Sequence, residues 1–266
     1  MPNPLPSSTP DTVAAATQDN ERGDPKKPAA AQVKHAPARP TAKKATKAQP
    51  PQDAKSSETG QQAANQAQPA WPKKDPDQLI DEWANAASGN GVPARALRAY
   101  VNAERTMRED KPNCRVEWPL LAGVGKIESN HGRFDGASLT DGGLPSKPII
   151  GIALDGSAGV RAITDTDGGS MDGDEVWDRA VGPMQFIPST WTKWAKDGNG
   201  DGKSDPHSID DAAITAANYL CGQGQDLGTV EGQRSALMVY NNSTSYGNTV
   251  LHDAEHYAQD HRPPPV

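Results

Sequence analysis

The chain has 266 residues, a formal net charge of −7 and a mean hydropathy of −0.76. The charge is divided: residues 1–74 hold 11 Lys and Arg against 6 Asp and Glu, and residues 75–266 hold 16 against 28. The acidic body argues against nucleic acid as its partner, and no stretch is apolar for long enough to cross a bilayer.

The first 75 residues read as a disordered tail or spacer. All 13 aromatic residues lie from Trp71 onward, while 13 of the 24 prolines fall before residue 77. Pro, Ala, Gln, Ser, Thr and Lys bury too little apolar surface to offset the entropy of ordering. A solvated linker is the simplest role for this basic segment. Residues 76–266 suit one domain of ordinary size.

The domain reads as mainly helical. Asp77 is placed to cap a helix through about Ala87, with Leu79, Ile80 and Trp83 on one face. Pro93 suits the first turn of the next helix, which runs to about Met107 with Leu97, Tyr100, Val101 and Glu104 in step. A helix from about Val116 to Ser129 follows the Lys111-Pro112-Asn113 turn. Residues 132–181 are rich in Gly and Asp, with one short strand expected at Pro148–Leu154. A loop this long is uncommon unless functional, so it reads as a flap. Helices resume at Ser189 (capped by its own hydroxyl), at Ile209–Cys221, at Arg234–Tyr240 and at about Tyr246–Gln259.

Four stretches carry candidate chemistry. In the first, Leu121, Val124 and Glu128 share a helical face, so a carboxyl sits at the end of an apolar stripe. Burial raises the pKa of such a group, which suits a general acid. The alternatives are a structural pair with a cation such as Arg133, or a carboxylate pointing out at a helix end. The second is Gly182-Pro183-Met184-Gln185-Phe186-Ile187-Pro188-Ser189. There Gln185 offers a donor and an acceptor, and Phe186 and Trp191 offer flat faces to a sugar or, equally, to the core. In the third, Asp197, Asn199, Asp201 and the Lys203 carbonyl alternate, with Gly202 in sixth place, as in the front half of an EF-hand calcium loop. The usual closing Glu is absent, which leaves Asp210 or Asp211 in an enlarged loop. An ion-free run of Asx turns is the alternative. The fourth is Tyr240-Asn241-Asn242-Ser243 with Tyr246, a polar and aromatic cluster suited to carbohydrate. The acidic run at 165–175 reads as turns rather than a second cation site. His252 and His256 read as a solvated helix face.

Cys114 and Cys221 admit two readings. A bridge would stabilise by roughly 4–5 kcal/mol in the chain-entropy model. Two reduced thiols in the core would suit a chain with no visible export signal, since Val13–Ala16 is the longest apolar run near the start.

Taken in order, Ile127-Glu128-Ser129-x-His131-Gly132, Gly182–Ser189, the Asp197–Asp205 loop running into Asp210-Asp211-Ala212, Ala217-Asn218-Tyr219-Leu220 and Tyr240–Ser243 resemble the lytic murein transglycosylase B family, especially its exported actinobacterial members. The resemblance spans roughly residues 76–260. It implies a lysozyme-like fold and cleavage of the MurNAc–GlcNAc bond of peptidoglycan without water, leaving a 1,6-anhydro end. It implies Glu128 as the one catalytic acid and base, and sugar contacts from Gln185, Phe186, Tyr219, Tyr240, Asn241 and Tyr246. It selects Asp197, Asn199, Asp201, the Lys203 carbonyl and Asp211 for a structural Ca2+. It also implies a monomer acting outside the cell or in the wall, where a Cys114–Cys221 disulfide is favoured. A hydrolytic muramidase of the same fold, or a non-catalytic peptidoglycan- or calcium-binding module, stands as the alternative.

Overall fold

A computed structural model describes residues 75–157, 160–260 and 263–264. The expected tail, apart from Asp75, lies outside these residues. Seven helices and one two-stranded sheet are described: α1 (Pro76–Ala87), α2 (Ala94–Asp110), α3 (Trp118–Ser129), β1 (Ile150–Ala153), β2 (Arg179–Val181), α4 (Pro188–Trp194), α5 (Ile209–Cys221), α6 (Val230–Tyr240) and α7 (Thr244–Asp260). No described helix is long and apolar enough to cross a membrane.

Helix α3 is the centre. Residues 118–125 are buried on every side, as a helix apolar all round must be. It lies along α7 and against α2, and α2 in turn packs on α5. Its fit depends on two glycines. A Cβ at Gly123 would lie 2.5 Å from the Val250 carbonyl oxygen of α7, and one at Gly125 would lie 2.1 Å from the Tyr100 hydroxyl of α2. The buried Glu104 of α2 explains its place on an apolar face. Its Oε2 accepts the Trp118 backbone N–H at 2.8 Å, so α2 supplies the cap that α3 lacks in its own sequence.

Several helix starts differ from expectation by a few residues. Asp75 caps α1 by accepting from Asp77 N, because Pro76 needs no donor partner at the first turn. For the same reason α4 begins at Pro188 behind Ile187, and Ser189 is inside it. Thr229 caps α6, which starts four residues before Arg234. Ser208 caps α5.

The Gly- and Asp-rich flap is ordered as a twisted hairpin. β1 and β2 pair antiparallel, Ile150 opposite Val181 and Ala153 opposite Arg179, with a bulge between. Bridges at Asp155–Ala162 and Thr164–Trp177 carry the pairing outward. Leu154, Ala180 and Ile187 form a small core of their own beneath it. A disulfide joins Cys114, in the turn before α3, to Cys221 at the end of α5, 107 residues apart.

Because Gly125 faces the Tyr100 hydroxyl with no space for a methyl group, Gly125→Ala should lower stability by about 1–3 kcal/mol. Urea unfolding with an unchanged midpoint would refute this close approach of α2 and α3.

Candidate active site

Glu128 stands in the last turn of α3 and is 8% exposed. It is not paired with Arg133, whose guanidinium goes to the carbonyl oxygens of Gly91 and Asn130. Its partner is Tyr246 of α7, whose hydroxyl donates to Oε1 at 2.5 Å. Burial pushes the Glu128 carboxyl up to about 8, and the Tyr246 hydrogen bond offsets this only in part. Burial, and after it the nearby Glu128 carboxyl, hold the Tyr246 phenol well above its ordinary range, so it remains a donor. A neutral carboxyl with one oxygen occupied by a donor presents its proton on the other.

The chain leaves α3 through three consecutive left-handed residues, Asn130, His131 and Gly132. His131 N–H reaches back to the Gly125 carbonyl at 2.8 Å, closing the helix end. This reversal buries the His131 ring completely between two phenols, with Nδ1 3.2 Å from the Tyr100 hydroxyl and Nε2 3.2 Å from that of Tyr257. Burial lowers its pKa to about 3, so the imidazole is neutral at ordinary pH. Sequence reading passed over this trio because its members lie 31 and 126 residues apart. The only local sign is a His beside Asn and Gly at a helix end.

The Gly182–Phe186 turn abuts this helix end. Val181 and Phe186 exchange both backbone hydrogen bonds, and Gly182 and Gln185 take positive φ. Ser129, next to Glu128, donates to the Pro183 carbonyl at 2.6 Å, and Tyr240 of α6 donates to the Met184 carbonyl at 2.8 Å. Gln185 folds its amide back, donating to the Gly182 and Ala180 carbonyls.

The aromatic residues differ from expectation. Phe186 and Tyr240 are fully buried, and Tyr219 and Tyr246 nearly so. Phe186 meets Trp191, Tyr219 and Tyr240 edge to face, with ring centroids 5.4, 6.5 and 5.9 Å apart. In the folded chain these rings pack on one another. Of the expected contacts, Gln185 and Asn241 keep a little surface, 7% and 8%, comparable with Glu128. Tyr246 touches Glu128 itself.

In the 197–211 loop, Asp197 accepts the amides of Gly200 and Gly202, Asn199 that of Asp201, and Asp201 that of Lys203. Asp211, nearly fully buried in the first turn of α5, holds the far end of the loop by accepting from Gly198 N at 2.8 Å and Asp205 N at 2.9 Å. Asp210 is excluded because it pairs with Arg95. Burial raises the Asp211 pKa, and the charge of Asp197 adds to this. An all-oxygen donor set with crowded negative charge fits a hard cation such as Ca2+.

Residues 164–234 match a family model described as Transglycosylase SLT domain. The matched stretch holds the Gln185 turn, the 197–211 loop, α5 and the start of α6; Glu128 and Tyr246 lie outside it. No curated protein matches the chain. A solved structure similar to it, SltB3 from Pseudomonas aeruginosa in complex with NAG-anhNAM-pentapeptide, is 18% identical, with a TM-score of 0.40 over 70% of this chain and 68% of that one.

Between its ordinary value of 4.5 and about 8, the folded chain holds the Glu128 proton that the unfolded chain has lost. Stability from this group therefore falls as pH rises through that window. Glu128→Gln carries no such penalty. Its stability relative to wild type should rise between pH 5 and pH 9 by an amount on the order of a few kcal/mol, read by urea unfolding at both values. A pH-independent difference would contradict a carboxyl that is neutral when folded.

Proposed function

We propose that this chain, which carries a transglycosylase SLT domain over residues 164–234, is a lytic transglycosylase that cleaves the MurNAc–GlcNAc bond of peptidoglycan with Glu128 as its one acid and base. The observation that carries the assignment is the buried Glu128 carboxyl, protonated up to about pH 8 and held by Tyr246.

Most glycosidases use two carboxyl groups at a set separation. In this reading the sugar supplies the second role. Glu128 gives its proton to the glycosidic oxygen as the bond to the MurNAc anomeric carbon breaks. The N-acetyl oxygen of the same sugar stabilises that carbon. The Glu128 carboxylate then takes the proton of the C6 hydroxyl as that oxygen closes on the anomeric carbon. The acid is regenerated and no water is consumed. Desolvation keeps the carboxyl protonated for the first step and makes the carboxylate that the step leaves a stronger base for the second. Gln185 and Asn241, which keep a surface comparable with that of Glu128, are the side chains assigned to the glycan. Phe186, Tyr219 and Tyr240 hold the turn and α6 in place.

The 197–211 loop is assigned a structural Ca2+, held by Asp197, Asn199, Asp201, the Lys203 carbonyl and Asp211. Such an ion fixes a loop and leaves proton transfer to Glu128. Peptidoglycan lies outside the cytoplasmic membrane, and the Cys114–Cys221 disulfide suits that oxidising setting.

Digestion of purified sacculi followed by mass spectrometry tests the reaction. Muropeptides one water lighter than hydrolysis products are expected. Reducing MurNAc ends would make the chain a muramidase, and wall binding without cleavage would make it a binding module. Glu128→Gln should lower the rate by at least about 100-fold, the minimum expected for loss of a general acid.

The pH profile tests Tyr246 separately. Activity should decline as pH rises through about 8, where the acid is lost. The Tyr246 hydrogen bond lowers the Glu128 pKa, so Tyr246→Phe should move this limb to higher pH. A limb that stays or moves down would remove Tyr246 from the acid's control.

A further inference from the structure

The outer hairpin holds a second group of carboxylates, remote in sequence from the 197–211 loop. Its arms are joined by Asp178 N–H to the Ile163 carbonyl and by Asp165 N–H to that of Val176, both at 3.0 Å. Between them, one oxygen each of Asp165, Asp167 and Asp178 lie within 4.8 Å of one another.

Acidic turns alone account for part of this. Asp165 accepts the amides of Asp167, Gly168 and Gly169, as an Asx turn does. Two observations go further. Asp178 is fully buried, yet its oxygens receive hydrogen bonds from Thr166 alone among the described residues, and the charges felt there are those of Asp172 and Asp167. The adjacent Arg179 gives its guanidinium to Asp174 instead. In addition, Oδ1 of Asp167 is sealed from solvent and accepts no hydrogen bond among the described residues, although Oδ2 takes the Ser170 hydroxyl and the Met171 amide. A buried carboxylate needs a counter-charge, and a buried lone pair needs a donor. One ion among the three carboxylates supplies both.

We propose that Asp165, Asp167 and Asp178 bind a hard divalent cation of the calcium type, at a site distinct from the 197–211 loop. The donors are all carboxylate oxygens, with no nitrogen or sulfur to favour a transition metal. Calcium tolerates an irregular carboxylate set completed by water better than magnesium does. The ion cross-links Asp165 and Asp167 on one side of the hairpin to Asp178 on the other. Asp178 leads directly into β2 and so into the Gln185 turn. The cation therefore holds the base of the flap to the strand that carries the candidate site.

Calorimetric titration with CaCl2 of the full chain, stripped with EDTA, tests the proposal. Asp211→Asn is used as the background, so that uptake by the other loop is suppressed. We expect one Ca2+ per chain with Kd between about 10 μM and 1 mM, the range from sensor sites to extracellular modules. Adding Asp165→Asn and Asp167→Asn should weaken it at least tenfold, and MgCl2 should bind at least tenfold more weakly than calcium. Absence of saturable uptake up to 5 mM, or uptake that survives the two substitutions, would overturn the site, and tighter magnesium binding would overturn its calcium character. Hydrogen exchange on the unsubstituted chain gives a second reading that does not depend on the variants folding. Calcium should slow exchange across residues 163–178, and protection confined to 197–211 would refute the proposal.

Discussion

Everything near the candidate site follows from keeping one carboxyl out of water without giving it a cation. Among the described residues Glu128 takes a single hydrogen bond, from Tyr246, and no positive charge contributes to its shift. An ionised carboxylate in such a place is unstable unless paired, so the group stays neutral instead. That requires α7 to lie close enough to α3 for a phenol to reach across. Gly123 permits this approach, since any larger residue would meet the α7 backbone at Val250. Gly125 permits the matching approach of α2. The acid is thus a consequence of how tightly three helices pack around it.

The same economy of polar groups runs behind the acid. Ser129 and Tyr240 each donate to a carbonyl of the Gly182–Phe186 turn, and Glu104 caps the start of α3. Tyr100, His131 and Tyr257 satisfy one another inside the core. Every one of these bonds joins two different elements. Breaking one partner leaves a buried group unpaired, which is more damaging than the modest net worth of the bond suggests. The edge-to-face cluster of Phe186, Trp191, Tyr219 and Tyr240 fills the space between them.

Sequence periodicity was enough to place α2, α3 and α5, because their apolar residues recur at helical spacing and their ends carry turn signals. It identified Glu128 for the same reason: a carboxyl in register with Leu121 and Val124 is carried into the core along with them. The EF-hand-like spacing marks 197–205 as a loop of alternating oxygen donors, and the structure shows Asp210 paired with Arg95 while Asp211 turns back to the loop amides. What periodicity does not contain is which way a side chain faces when several elements converge. Phe186 suits a sugar or the core equally by sequence, Tyr219 and Tyr240 are sugar contacts by resemblance, and in the folded chain all three are buried against one another. Glu104 as a cap and His131 between phenols depend on residues distant in sequence. The strand expected at 148–154 contains β1, but its partner β2 is only three residues long and is reached through Gly- and Asp-rich turns, so the hairpin pairing is not legible in the sequence.

The 197–211 loop and the candidate site meet at one glycine. A Cβ at Gly182 would fall 1.8 Å from the Pro206 carbonyl oxygen, so the end of the 197–211 loop rests directly on the turn that carries Gln185. That turn in turn receives Ser129, the neighbour of Glu128. A loop drawn out of shape at Asp211 would therefore press on the Gly182 backbone, and the displacement would reach the helix end that holds the acid. Here the covalent path from Asp205 through Pro206 to Asp211, and the van der Waals path from Pro206 to Gly182, make the loop's geometry part of the geometry of the acid.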